Sequence, residues 1–154
     1  MSTAFPPVSE LLPHQAPMIF IDAVTAFEPP TMTCRVSTQS ALLPRSSPGE
    51  ISLAVGYEWM AQSIGAFVGL TAKMAGKPIK IGFLLGTRRA EFFTQSFREN
   101  QVITCCIKLL GHFDELGVFD AELFEEKTLL MRGQIKVYQP EDVEGFFSTR
   151  RVQG

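Results

Sequence analysis

The pattern of apolar and polar positions divides the chain into one long apolar segment and several shorter ones. Residues 51–75 are apolar on nearly every face of a helix, which is typical of a central helix that is wrapped on most sides. Segments of strand length, rich in Ile, Val and Phe, cover residues 18–28, 31–37, 79–86, 89–97, 101–113, 117–126 and 128–138. This order predicts an α+β domain in which an antiparallel sheet wraps one long central helix.

Prolines and glycines mark the turns between these segments. Turns or loops are predicted at residues 29–30, 39–50 and 76–78. Only a weak break separates 79–86 from 89–97, so one long bent strand is the alternative there. Ser9 is expected to cap a short helical turn over residues 10–12.

The chain length changes this picture little. With 154 residues the chain has the size of one domain, predicted over 1–139, and residues 140–154 are expected to form a partly mobile tail. The hydrophobic fraction of 45% suits a substantial core. The net charge of −2 argues against a general nucleic-acid-binding protein, which would carry a basic excess.

A few residues and the N-terminal segment argue against membrane-spanning, secreted and metal-binding proteins. Glu58 and Gln62 lie inside the long apolar segment, so we expect no membrane span. The N-terminus does not resemble a secretory signal. The odd set of Cys34, Cys105 and Cys106, without a CxxC motif, indicates reduced thiols in a cytoplasmic protein and no metal site.

His14 is the first candidate for chemistry. Pro13 and Pro17 restrict the backbone on either side of it, which could fix the direction of the ring. An imidazole is suited to act as a general base near neutral pH. The alternative is an exposed or capping histidine at the end of a helical turn.

Glu58 is the second candidate. With Gln62, Gly65 and Gly69 it falls at i, i+4, i+7 and i+11, on one stripe of the predicted helix. If buried, such a carboxyl group could serve as a general acid, oriented by Gln62. The two glycines would let a backbone or a substrate come close. The alternative is a structural polar network under the sheet.

Two further groups are weaker candidates. His112 is expected to be a surface histidine near a hairpin turn. The basic residues Lys80, Arg88, Arg89 and Arg98 could recognise a phosphate or an acidic partner, or could simply be a solvated strand edge.

Four motifs together resemble the hotdog-fold 3-hydroxyacyl-acyl-carrier-protein dehydratases. They are LLPHQAPMIFIDAV, YEWMAQSIGAF, GFLLGTRRAEF and LGVFDAELF, in the order and spacing of that family, and they span residues 8–138. The resemblance implies the hotdog fold, with His14 as the catalytic histidine and Glu58 as the catalytic acid. In that family two subunits join into one continuous sheet, with the histidine of one opposite the acid of the other.

The resemblance also implies the reaction. A 3-hydroxyacyl thioester, carried on the phosphopantetheine of an acyl carrier protein, would lose water to give a trans-2-enoyl thioester without a metal or redox cofactor. Gln62 would contact the substrate, and Met18, Trp59 and Phe83 would line the acyl tunnel. The carrier protein would dock near Lys80, Arg88 and Arg89, and the subunit would form a homodimer, a heterodimer with a second hotdog chain, or a higher oligomer.

One segment departs from the family pattern. The loop before the helix reads RSSPGEISLAVGYE in place of the usual G-H-x-P-x-x-P-G, so we expect the amides of Leu53, Ala54 and Val55 to stabilise the thioester oxygen. The altered loop resembles a divergent branch of dehydratases that includes those of bacterial aryl polyene pathways. In that branch a subunit can pair with a different hotdog chain.

Two rival functions stay open. A hotdog thioesterase would use the helix carboxylate and would not need His14. A structural partner subunit or acyl-binding module would need neither group for chemistry, and the altered loop motivates that alternative.

Overall fold

The computed structural model describes residues 5–79 and 82–139. Within this range, it describes only the backbone of Phe83. It consists of a 3₁₀ turn, one helix and nine strands in the order Val8–Glu10, β1 (Ile21–Glu28), β2 (Thr31–Val36), β3 (Arg45–Ser47), β4 (Glu50–Ile51), α1 (Val55–Met74), β5 (Phe83–Phe92), β6 (Phe97–Arg98), β7 (Ile103–Phe113), β8 (Leu116–Glu125) and β9 (Thr128–Tyr138). The predicted tail 140–154 lies outside the described residues.

Six strands form one antiparallel sheet in the order β1-β2-β7-β8-β9-β5. Side chains alternate along these strands between a buried face and a solvent face, as in β8, where Phe119, Ala121 and Leu123 are buried. The buried face packs on α1. One helix wrapped by an antiparallel sheet is the predicted architecture, and the hotdog fold is confirmed.

Helix α1 is buried along most of its length. Trp59 is fully buried, its ring lies 5.0 Å from that of Phe97, and its indole N–H donates to the carbonyl of Ser37 over 3.1 Å. Because an indole N–H without a partner is costly in a core, this bond lets the largest side chain of the helix lie under the sheet.

Some element boundaries differ from the prediction. The helix begins at Val55, because Ile51 pairs with Phe97 in a small second sheet of β3, β4 and β6, most of which lies in the predicted loop. The single strand β5 replaces the two segments 79–86 and 89–97, the alternative that the weak break allowed. Ser9 does not cap a helix, since it lies inside the 3₁₀ turn, which has no side-chain cap.

Within the described part of the chain, no helix combines the length and apolar character that a membrane span requires.

Candidate active site

One cavity in the single chain brings the two chemical candidates together. It has a volume of about 220 Å³ and lies between α1, the segment before β1, and the adjoining ends of β5 and β9. We call it the central cleft; it is lined by Pro13, His14, Glu58, Ala61, Gln62, Ile64, Gly65, Val68, Gly82, Leu84, Val137 and Gln139. His14 and Glu58 thus face one space although they are far apart in sequence.

Gln62 holds this site together. Its side chain is buried, and its amide N–H groups donate to Glu58 Oε1 and to the carbonyl of Met18, each over 2.9 Å. Its Oε1 accepts the backbone N–H of Phe20 over 2.7 Å. The side chain therefore fixes the segment that follows His14 to the helix that carries Glu58.

The glycines of the predicted stripe allow the same segment to lie directly on the helix. A Cβ atom at Gly69 would meet the backbone oxygen of Leu11 at 1.9 Å, and one at Gly65 would meet Leu12 Cδ2 at 2.9 Å. The stripe was expected to admit a backbone or a substrate. A backbone occupies it over Gly69, and the central cleft is lined by Gly65.

His14 is partly buried beside this close approach. Its Nδ1 atom is buried and has no hydrogen-bond partner among the described residues. A buried polar atom normally has a partner, so a substrate or a water molecule is expected to supply one.

Glu58 is exposed in the single chain, so the burial on which its role as a general acid was conditioned is not present there. It lies where the central cleft meets a second cavity of about 360 Å³ at the start of α1. We call this the mouth cavity; it is lined by Met18, Phe20, Leu42, Leu43, Pro44, Ala54, Val55 and Glu58. Met18 and Leu42 are about half exposed at its rim, so the cavity opens to solvent.

The three amides predicted to bind the thioester oxygen are not equivalent. The N–H of Ala54 donates to Ser52 Oγ over 3.3 Å, and that of Val55 donates to the carbonyl of Ser52 over 3.1 Å. The N–H of Leu53 has no acceptor among the described residues. Leu53 lines neither cavity, whereas Ala54 and Val55 line the mouth cavity.

The other predicted site residues lie elsewhere. Trp59 is in the core and not along the cleft. Lys80 and the side chain of Phe83 lie outside the described residues, and Arg88 is exposed on β5. Arg89 lies in a groove of about 350 Å³ on the outer face of the sheet, together with the carboxylates of Glu91, Asp120 and Glu122.

His112 is exposed at the end of β7, as expected of a surface histidine, and Arg98 is exposed in the small sheet.

Sequence reasoning did not identify Ala61 and Val68 as residues that line the central cleft. Their spacing of three and ten residues from Glu58, on the same helix face, is the signal that could have identified them.

No group of three or more His, Cys, Asp or Glu side chains that could hold a metal ion is found among residues 5–79 and 82–139.

Comparisons with known proteins identify the family of the chain and relatives of its fold. A family model described as ApeP-like, ApeP dehydratase, matches residues 6–148. A chain of the dehydratase heterocomplex ApeI:P from Xenorhabdus doucetiae is 28% identical with a TM-score of 0.85, covering 94% of this chain and 98% of that one. No curated protein sequence matches significantly.

More distant structures share the fold alone. A conserved protein of Pseudomonas aeruginosa is 13% identical with a TM-score of 0.64, covering 88% of this chain and all of that one (100%). A hypothetical thioesterase with coenzyme A from Streptococcus pneumoniae TIGR4 is 9% identical with a TM-score of 0.59, covering 76% and 84%.

Proposed function

Because the chain belongs to the ApeP-like dehydratase family, we propose that it removes water from a 3-hydroxyacyl thioester carried on the phosphopantetheine arm of an acyl carrier protein. The observation that best supports this function is the central cleft, where His14 and Glu58 line one space and Gln62 binds both the Glu58 carboxyl group and the segment after His14. A place in aryl polyene synthesis is part of the proposal.

The proposed reaction uses these groups in turn. His14 accepts the proton from the α-carbon, and the electron pair moves toward the thioester oxygen. The C–O bond at the β-carbon then breaks, Glu58 gives its proton to the departing hydroxyl, and water leaves as the trans double bond forms. The N–H of Leu53, two residues before α1, has no acceptor among the described residues and is the proposed donor to the thioester oxygen.

Glu58 is the proposed acid, and the reaction needs a cleft from which bulk water is excluded. In the single chain this carboxyl group is exposed. Four apolar side chains that are about half exposed lie around it or along β5: Met18, Leu42, Leu84 and Leu85. We propose that a second hotdog subunit covers them and continues the sheet from the outer edge of β5. The similar structure is a heterocomplex, which favours a different chain over a second copy.

The same observation favours a second candidate function, in which this chain completes the active site of its partner and supplies only part of the chemistry. The base could then belong to the second subunit, with Glu58 still the acid. A purely structural role for the chain would need neither His14 nor Glu58.

One assay separates these functions. The chain, alone and with a second hotdog subunit, is incubated with a 3-hydroxyacyl carrier protein, and loss of water is followed by intact mass. Loss of activity in both His14→Ala and Glu58→Gln supports the two-group mechanism. Loss in Glu58→Gln alone assigns the base to the partner. Full activity of the complex with both variants would contradict a catalytic role, and no activity in any wild-type sample would contradict the dehydratase function.

A further inference from the structure

The outer edge of β5 has no paired strand within the described part of the chain, and its two halves differ in character. On its other side β5 pairs with β9, and it ends the order of the six-stranded sheet. The first half carries Leu84 and Leu85, which are apolar and about half exposed. The second half carries Arg88 and Arg89, which are exposed. A strand added at this edge would therefore meet an apolar half and a basic half.

Arg88 carries a charge that the neighbouring side chains do not offset. It forms no ion pair with any of the described residues. Its register partner on β9 is Gln134, and Lys136 lies two residues further along that strand. Arg89 differs, because it lies in the groove on the outer face of the sheet, where three carboxylates offset part of its charge. The net positive charge of the edge is therefore centred on Arg88.

Two copies of this chain would bring their arginines together at such an edge. In a two-fold symmetric antiparallel pair, the first half of each strand faces the second half of the other. Over the ten residues of β5, Phe83–Phe92, the axis would lie between Thr87 and Arg88, and each of the four central pairs would contain an arginine. Leu84 of one copy would face Glu91 of the other and lose an apolar contact. Because like charges at neighbouring cross-strand positions are destabilising, β5 is poorly suited to pair with itself.

From these features we propose that Arg88, supported by Arg89, prevents β5 from pairing with a second copy and selects a second subunit whose edge strand is acidic. The inference rests on the proposed function, which places the second subunit on β5. In the selected pair, carboxylates of the added strand lie opposite the two arginines, and apolar side chains lie opposite Leu84 and Leu85. Specificity then comes from repulsion between copies as well as from attraction to the second subunit.

A charge-inverted form of the chain is the probe for an acidic edge. Arg88→Glu combined with Arg89→Glu makes the edge acidic without changing its apolar half, and this inverted variant is mixed with the wild-type chain. We expect the mixed dimer to form at least about tenfold more tightly than either chain pairs with itself, because opposite charges replace like charges at the centre. Sedimentation equilibrium with one chain fluorescently labelled measures the three association constants.

Salt and neutral substitutions test the sign of each charge effect. Raising the ionic strength from about 0.05 M to about 0.5 M should weaken the mixed dimer and strengthen self-pairing of the wild type, because salt screens attraction and repulsion alike. Arg88→Ser combined with Arg89→Ser should raise the self-association constant at least about fivefold, since the repulsion is removed.

The matched control changes the same number of charges elsewhere. Lys77→Glu combined with Lys127→Glu alters two exposed residues outside the helix and the strands, and this control should show no preference for the wild type. Equal mixed and self-association constants for the inverted variant, or a preference that the control reproduces, would overturn the inference. If the arginine variants changed only the KM for the carrier protein, the arginines would belong to carrier docking and the inference would also fail.

Assembly is measured without substrate and is therefore separate from catalysis. In the complex with the second hotdog subunit, the inverted variant is expected to bind at least about tenfold more weakly than the wild type. Charge-selective assembly without dehydration in any sample would keep this inference and reject the proposed dehydratase function. Dehydration by a complex that binds the wild type and the inverted variant equally would reject this inference and leave the dehydratase function standing.

Discussion

At the scale of single residues, Gln62 has the largest expected effect on stability near the site. Replacing it with Leu keeps much of its volume but leaves the N–H of Phe20 and the carbonyl of Met18 without their partner. Each unsatisfied buried group costs about 1–3 kcal/mol, so Gln62→Leu should lower the free energy of unfolding by about 2–4 kcal/mol. Urea denaturation measures this change.

The control for Gln62 is Glu58→Ala. It removes only the bond between the two side chains at an exposed position, and it should change the free energy of unfolding by less than about 1 kcal/mol. Equal losses in the two variants would show that the backbone bonds of Gln62 contribute little.

The thiols give a second prediction at this scale. Burial raises the pKa of Cys34 to about 12, partly offset by a hydrogen bond with Ser63, and burial likewise raises the pKa of Cys105. Only the partly buried Cys106 should react with a thiol reagent near pH 8 in the folded protein, whereas all three cysteines should react after unfolding. Rapid reaction of two or more thiols in the folded state would contradict this.

The raised pKa of Cys34 also determines how the free energy of unfolding changes with pH. Between about pH 9, the ordinary thiol value, and about pH 12, the unfolded chain loses the Cys34 proton while the folded chain keeps it. The free energy of unfolding should therefore fall as the pH rises through this range. Cys34→Ala should show a shallower fall.

At the scale of elements, the contact between α1 and the segment before β1 depends on two glycines with unequal surroundings. In Gly69→Ala the new methyl group meets the Leu11 carbonyl, and backbone atoms cannot move aside cheaply. We expect a loss of about 2–3 kcal/mol in the free energy of unfolding, together with reduced activity, because the segment that carries His14 is displaced. Thermal and urea unfolding, with the dehydration assay, measure both effects.

Gly65→Ala is the matched control on the same helix face. Its methyl group would meet only the end of the flexible Leu12 side chain, and alanine favours the helix by about 1 kcal/mol over glycine. The change in stability should therefore stay within about 1 kcal/mol. A larger loss in Gly65→Ala than in Gly69→Ala would contradict the assigned close approach.

At the scale of the whole molecule, the edge strand β5 is expected to form the interface with the second subunit. Leu85 is 58% exposed there, and Leu85→Lys should weaken the complex at least about tenfold, because a charge would replace an apolar contact in the proposed interface. Val102→Lys changes an apolar residue outside β5 that is at least as exposed, and it should leave the affinity unchanged. Analytical ultracentrifugation of the mixed subunits compares them.

Sequence reasoning chose candidate residues that share one cleft in the structure, but it did not foresee what surrounds them. It singled out His14 and Glu58 and placed Gln62, Gly65 and Gly69 on one helix face. It did not predict that Glu58 is exposed, because an apolar helix sequence does not show which of its turns the sheet leaves uncovered. It placed Trp59 along the tunnel, since an aromatic ring beside Glu58 gives no sign of whether it turns toward the cleft or toward Phe97.

The sequence by itself determined the central helix, the order of the long strands, and the residues that could carry chemistry, because each depends on local periodicity or on motifs within a few turns of chain. Only the tertiary structure decided that Leu11 lies over Gly69, that Ile51 leaves the helix to pair with Phe97, and that the mouth cavity and the central cleft meet at Glu58. These features arise from contacts between segments 40 or more residues apart, and the packing energies that select them depend on the whole core and not on any one stretch of sequence.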